Sequence, residues 1–231
     1  MSCNLYKNFT PKFTPHGINI ILIFLAITFL LGFVSTKLMF IGAFFSIFAL
    51  YFFRDPERKC IQNDNLVVSP SDGLITFIGK VTIPEKFGVK GEFLKISIFL
   101  SVFDIHVNRL PINGVIKNII YSPGKFISAT NDKESDDNEC NTLVMENKLG
   151  HTIVTSQIAG LIARRIVCHV KINDESKIGE RFGIIKFGSR MNVYIPLNYK
   201  ISVVEGQRVI GGETILAFYE NDESIFFDFN E

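Results

Sequence analysis

The sequence predicts a mainly β, α+β fold: an antiparallel, barrel-sandwich-like β body preceded by an N-terminal hydrophobic helical hairpin. Three observations carry that expectation. Two uncharged apolar runs stand close together near the N-terminus, at 18–34 and 38–53. From Asp64 onward, short β-branched runs alternate with clusters of Pro, Gly, Ser and Asp, the punctuation of strands and turns. After Phe53 no segment of convincing length keeps the apolar period of a helix.

The hairpin comes first. "INIILIFLAITFLLGFV" and "LMFIGAFFSIFALYFF" are joined by "STK". Each is slightly short of the roughly 20 apolar residues that a bilayer crossing needs. Lys7 and Lys12 precede the pair, and Arg54, Arg58 and Lys59 follow it. Basic flanks stay on the cytoplasmic side, so both ends of the hairpin, and the body with them, are expected there. A cleaved export signal would need a small-residue cleavage site after the first run, and a second apolar run stands there instead. Because "STK" is so short, a hairpin crossing the bilayer and one embedded in a single leaflet are both compatible with the sequence. Residues 1–60 are thus expected as a membrane anchor and 61–231 as a β-rich domain.

The body reads as strands throughout. "VVSPSDGLITFIG" places Pro-Ser-Asp-Gly between two β-branched runs. In "EFLKISIFLSVFDIHV", Leu94, Ile96, Ile98 and Leu100 fall on one face at period two, with Phe99 on the other. "HTIVTSQIAGLIARRIVCHV" is a further long β-branched stretch, and "YKISVVEGQRVIGGETILAFY" gives two strands around Gly-rich turns. The acidic run "NDKESDDNEC", 131–140, reads as a solvated loop. No metal is expected there, since no histidine or ordered ligand spacing supports one.

Composition narrows the function. Residues 1–60 hold six Lys/Arg against two acids, whereas 61–231 hold 18 against 21. A slightly acidic body is a poor match for nucleic acid, whose phosphates need a basic surface. The basic, apolar end points to a membrane as partner. Cys3, Cys60, Cys140 and Cys168 are scattered without a C-x-x-C pair, which suits reduced thiols better than a disulfide framework or a zinc site.

Few residues can serve as acid or base. His16 lies at the start of the hairpin, His151 follows Gly150 in an expected turn, and His169 sits beside Cys168 in an apolar stretch. His106, in "FDIHVNRLP", follows a strongly apolar strand and precedes a proline turn, where a rigid base can present a side chain to a pocket. Gly188-Ser189 lies between "GIIKF" and "MNVYIP", two runs that read as strands.

Three motifs in order, "SPSDG" (69–73), "DIHVNRLP" (104–111) and "KFGSR" (186–190), resemble the phosphatidylserine decarboxylases, in particular their short, membrane-tethered bacterial branch. The resemblance extends through "YFFRDPER" (51–58), "YSPGKF" (121–126), "QIAGLIARRIVC" (157–168), "GERFGIIKFGSR" (179–190) and "GGETI" (211–215), and so covers nearly the whole chain.

The resemblance implies an enzyme, a carboxy-lyase that converts phosphatidylserine to phosphatidylethanolamine and carbon dioxide at the cytoplasmic face of the bacterial cell membrane. Loss of an α-carboxylate leaves a carbanion that no ordinary side chain can absorb. Many enzymes borrow pyridoxal phosphate as the sink; no phosphate cup for it is evident here. The family makes its own ketone. The implied cofactor is a covalent pyruvoyl group formed from Ser189 when the chain cleaves itself between Gly188 and Ser189. Glycine at 188 leaves its carbonyl open to attack. The products would be a large chain, 1–188, and a small chain, 189–231, held together as a heterodimer; any further assembly is left open. The ketone would form a Schiff base with the substrate amine. His106 matches the histidine that assists decarboxylation, and Asp72 the acid assigned to self-processing. The chain departs from the long branch at Arg109, where that branch carries a second histidine. Arginine cannot act as a general base, so Asp72 alone, Asp72 through water, or His106 are the choices for that step. Arg109, Arg164, Arg165 and Arg190 are the expected ligands for the lipid phosphate or the serine carboxylate.

Two other classes are weaker. "VVEGQRVIGGETILA" resembles the turn of lipoyl-type adaptors, but no lysine stands at its centre. "FGSRM" lacks the second glycine of the G-x-S-x-G elbow of serine hydrolases.

Overall fold

The computed structural model describes residues 13–124, 138–160, 166–185 and 189–219. Helices α1 (Pro15–Val34) and α2 (Thr36–Phe52) form an antiparallel pair turned by Ser35, whose Oγ accepts from Lys37 N at 3.3 Å and caps α2. Where the helices cross, Thr28 Oγ1 and Ser46 Oγ lie 2.9 Å apart, and a Cβ on Gly42 would stand 2.7 Å from Thr28 Oγ1. Small residues at that level let the backbones close up, the usual solution for helices that share an apolar solvent. The outer faces are apolar too: Phe29, Leu30, Phe33, Phe40, Phe44 and Ile47 are all more than half exposed. A helix that is apolar all round needs apolar surroundings, and Gly17–Val34 is long and apolar enough to cross a membrane.

The body is built as expected for its class, mainly β and antiparallel. Its large sheet runs in the order β13 (Arg208–Val209), β2 (Gly73–Thr82), β3 (Glu92–Leu100), β11 (Ser189–Pro196), β7 (Thr152–Ala159), β6 (Cys140–Asn147), β5 (Gly114–Ser122), β9 (Glu175–Ser176). Two three-stranded sheets complete it. One is β1 (Leu66–Val68), β14 (Ile215–Tyr219) and β12 (Tyr199–Ile201); the other is β4 (Val107–Arg109), β10 (Arg181–Ile185) and β8 (Ile166–Cys168). Every strand pairing among the described residues is antiparallel.

Period-two patterning explains the packing. Ile96, Ile98 and Leu100 of β3 and Met191, Val193 and Ile195 of β11 are fully buried and meet Val67, Phe182, Ile185, Leu216 and Ala217 of the smaller sheets. Each such aliphatic side chain contributes about 1.5–3 kcal/mol on burial. The other face of the central strands is covered by a second cluster, in which Phe87 packs with Phe93, Val154 and Tyr194. The long β-branched stretch at 151–170 is divided: β7 lies in the large sheet and β8 in a small one, and His169 is exposed just beyond β8.

The hairpin is joined firmly to this body. Thr14 N donates to Phe53 O at 3.0 Å, closing the base of the helix pair. Phe52 and Phe53, both 1% exposed, pack with Ile21 and Ala49 of the helices and with Ile105, Val107 and Ile184 of the small β4–β10 layer. That contact brings the apolar helix pair to the residues described next.

Candidate active site

One end of the large sheet gathers the motifs. β2 begins at Gly73, immediately after Asp72, and pairs with the end of β3 through Leu74 and Phe99. β11 begins at Ser189, in register with Leu100, the last residue of β3, and with Ala159, the last of β7. Glycine is required at 73: its φ is +155° and a Cβ would lie 2.4 Å from Phe99 O. The turns are tied to one another by backbone bonds. Gly212 N donates to Ser69 O at 2.7 Å, Arg109 N to Pro70 O at 2.8 Å, and Leu110 N to Glu180 O at 2.8 Å. "SPSDG", "DIHVNRLP", "GERFG" and "GGETI", far apart in sequence, thus form one cluster.

Ser189 is fully buried, and its Oγ has no hydrogen-bond partner among the described residues. Strand alternation places it on the face of Met191, Val193 and Ile195, toward the small sheets. Gly188, with Lys186 and Phe187, lies outside the described residues. β10 leads toward this junction, and Ile185 N, its last residue, donates to His106 O at 3.3 Å.

His106 is 1% exposed and lies against Phe52 of α2, ring centroids 4.5 Å apart. Its Nδ1 is 2.8 Å from the carbonyl of Asp104. A carbonyl only accepts, so Nδ1 carries the proton and Nε2 holds a free lone pair in the neutral ring. Nε2 is buried with no partner among the described residues. Burial pushes the imidazole down to about 4, so the ring is neutral at ordinary pH. The Asp104 carboxylate, in turn, accepts from Ser101 N and Oγ at 2.8 and 2.7 Å and from Arg208 at 2.8 Å. Burial opposes its charge, but these bonds outweigh it and hold the carboxyl below its usual range.

Asp72 accepts from Gly211 N at 2.8 Å, and one guanidinium nitrogen of Arg58 sits 3.0 and 2.7 Å from its two oxygens. Burial raises its carboxyl above the usual range despite those two partners, and the charge of Asp104 adds to the rise.

The arginines separate. Arg109 was expected to bind substrate anions, but it is 4% exposed and engaged within the fold. Its guanidinium donates to Asp55 at 3.0 Å, to Pro56 O at 3.0 Å and to Gly179 O at 2.9 Å. Asp55 also accepts from Arg181 at 2.6 Å, so β4 and β10 share one buried carboxylate. At the position where the resemblance gives the long branch its second histidine, Arg109 is thus a buried, paired cation between the strands β4 and β10. Arg190 is 1% exposed and alternates to the face of Asn192 and Tyr194, opposite to Ser189. Arg164 and Arg165 lie outside the described residues, as do 131–137 of the acidic run.

Several polar residues at the site carried no sequence signal. Gln157 Nε2 donates to Asn108 Oδ1 at 2.8 Å, and Asn141 Nδ2 donates to Gln157 Oε1 at 2.8 Å. This relay fixes the Asn108 amide and leaves its Nδ2 buried without a partner among the described residues. Gly183 lies against both β8 and the relay: a Cβ there would collide with the Val167 carbonyl and would lie 3.0 Å from Gln157 Nε2. His151 is elsewhere, beside Tyr199 and Tyr219. Among the described residues no group of His, Cys, Asp and Glu is arranged to hold a metal ion.

Comparison with known proteins identifies the family. A profile of the phosphatidylserine decarboxylase family matches residues 45–217. A phosphatidylserine decarboxylase proenzyme of Wolbachia pipientis wMel is 44% identical over 223 residues, covering 94% of this chain and 97% of the relative. Those of Ehrlichia chaffeensis and Rickettsia prowazekii are 50% and 47% identical, covering 86% and 89% of this chain and 89% and 90% of their own. The chain belongs to the phosphatidylserine decarboxylase family and is a decarboxylase, a carboxy-lyase.

Proposed function

We propose that this chain is a precursor that cleaves itself between Gly188 and Ser189 and then decarboxylates phosphatidylserine to phosphatidylethanolamine at a membrane surface. The observation that carries this reading is the Ser189 hydroxyl: buried, without a partner among the described residues, and first in a strand that starts level with the last residues of β3 and β7, where β3 also pairs with the start of β2 just after Asp72. A buried hydroxyl with no partner among the described residues is costly to a fold, and it fits a group that is to react.

The processing balances without any further reagent than water. Ser189 Oγ attacks the carbonyl carbon of Gly188, the C–N bond breaks, and the acyl group passes to oxygen, freeing the amine of residue 189. Loss of the Cα proton with rupture of the Cβ–O bond ends the large chain as a carboxylate and leaves dehydroalanine at 189. Its imine tautomer takes up water and releases ammonia, giving the pyruvoyl group. Asp72, a raised carboxylate at the same end of the sheet, is suited to take a proton from Ser189 directly or through water. The small chain stays in place after the cut, because β11 is paired along its length with β3 and β7.

When formed, the ketone supplies an electron sink for a substrate primary amine. The protein's part is then to bind, orient and exclude water. The Nε2 lone pair of His106 is open to a proton, and because burial makes the ring a weak base, its protonated form would be a ready donor to the substrate carbon. Phe52 excludes water from that ring. It also borders an apolar cavity of about 160 Å³ with Ile20, Phe24 and Phe48, next to the site and suited to an acyl chain. The apolar helix pair and its basic flanks support a location at the cytoplasmic face of the cell membrane. Arg164 and Arg165 are the arginines proposed for the lipid's anionic groups, since Arg109 is engaged by Asp55. Intact mass of the purified protein tests the reading: two chains divided at 188–189 support it, and an active single chain refutes it.

A further inference from the structure

The run "RDPER" at the exit of the hairpin has a use that the proposed chemistry does not include. Its charged residues are tied to three parts of the site: the loop before His106, the β4–β10 pair and Asp72. Arg54 donates to Phe103 O at 2.9 Å, in the loop that leads to His106. Asp55 holds Arg109 of β4 and Arg181 of β10, the strand that runs toward the cleavage junction. Glu57 is 3.6 Å from the same Arg181. Arg58 reaches Asp72, with the two side chains only 12% and 16% exposed. The five residues are a strap between the membrane hairpin and the reactive end of the sheet.

We propose that Arg58 is the positioning residue of Asp72 in self-cleavage, aiming the carboxylate and holding it in its charged form. Asp72 has only two other fixed neighbours of consequence among the described residues. Gly211 N–H faces it from the β13–β14 turn and favours the anion. Asp104 faces it from the loop before β4 and disfavours the anion, although Arg208 pairs with Asp104. Removing Arg58 therefore leaves a half-buried carboxylate opposed by burial and by a second carboxylate, with one backbone N–H in its favour. Such a group takes up a proton more readily, and it loses the contact that fixes its direction. The inference rests on the reading of Asp72 as the residue that activates Ser189.

The test is the pH profile of precursor cleavage in the full chain, synthesised cell-free into lipid nanodiscs and followed on SDS gels. Four chains are compared: wild type, Arg58→Gln, Arg58→Lys and Asp72→Asn. Arg58→Gln is expected to move the half-maximum of cleavage upward by about one to three pH units, the effect of losing an opposite charge in contact. Arg58→Lys is expected to return the half-maximum most of the way, because it restores charge without the planar guanidinium. Folding is followed separately by the urea midpoint of the same substitutions in a Ser189→Ala background. If Arg58→Gln slows cleavage only as far as it lowers that midpoint, with the half-maximum unmoved, Arg58 merely supports the fold and the proposal is overturned. Normal cleavage by Asp72→Asn overturns the role of Asp72 and this inference with it, while leaving self-cleavage standing. A wild-type chain that never cleaves overturns both the inference and the proposed function.

Discussion

Burial of the neutral His106 ring predicts a specific loss of stability in mild acid. An unfolded histidine titrates near 6.5, whereas the buried ring titrates at about 4. Between those values only the unfolded chain takes up the proton, so stability falls as pH falls below 6.5 and the loss is complete below the folded value. At pH 5 the unfolded ring is about 1.5 units below its pKa while the folded ring is still neutral, which amounts to roughly 2 kcal/mol lost relative to pH 7. For a domain of this size that corresponds to about 4–8 °C in midpoint temperature. Asp72 works in the opposite sense, because its raised carboxyl takes up a proton first in the folded state, so wild type alone does not isolate the effect. His106→Asn does, since an amide N–H in place of Nδ1–H keeps a donor for the Asp104 carbonyl and removes the titration. The assay is urea unfolding at pH 7 and pH 5 in detergent, using uncleaved Ser189→Ala chains with and without His106→Asn. The histidine chain should lose about 2 kcal/mol more than its variant. Equal losses in the two chains would refute a buried neutral ring, and so would an NMR titration of His106 near 6.5.

Asp55→Ala should destabilise the fold by about 3–5 kcal/mol in urea, because it leaves the Arg109 cation buried without its carboxylate; Asp55→Asn, which still accepts a hydrogen bond, should cost less. Gly42→Leu should part the two helices at the Thr28–Ser46 contact, lowering the detergent midpoint by about 1–3 kcal/mol as overpacking does. Removing residues 1–53 should move the protein out of the membrane fraction in high salt, and should also leave Ile105, Val107 and Ile184 uncovered, so the released form is expected to self-associate on a sizing column. Arg109→Lys should reduce stability more than it reduces substrate affinity, measured by vesicle binding, since the guanidinium serves Asp55 and two carbonyls.

What could be read in advance depended on how local the cause was. The hairpin follows from two uncharged runs, and β3 from the alternation of Leu94, Ile96, Ile98 and Leu100, because both periods are properties of neighbouring residues. Asp72 and His106 stand out by their motifs; the structure sets Asp72 just before β2, which pairs with the end of β3, and buries His106 against Phe52. Long-range pairing was not legible. The partners of the run after the hairpin lie 14 residues away for Arg58 and Asp72, 54 for Asp55 and Arg109, and 126 for Asp55 and Arg181. Nothing local distinguishes such charges from solvated ones, so the pairing of Arg109 with Asp55 and of Arg58 with Asp72 gave no signal in the sequence. The division of 151–170 between two sheets was hidden for a related reason: apolar β-branched residues fill both β7 and β8, and only their partners differ. The Asn108–Gln157–Asn141 relay gave no signal either, since an amide's role is set by what it faces.

The most direct measurement of the account is the intact mass of the wild-type protein beside that of Ser189→Ala. The wild type is expected to give two chains, 1–188 and 189–231, the smaller lighter by one ammonia than simple hydrolysis would leave it and refractory to N-terminal sequencing, while Ser189→Ala gives one full-length chain. A wild-type protein that decarboxylates phosphatidylserine as a single uncut chain, or a Ser189→Ala protein that still divides at the same bond, would contradict it.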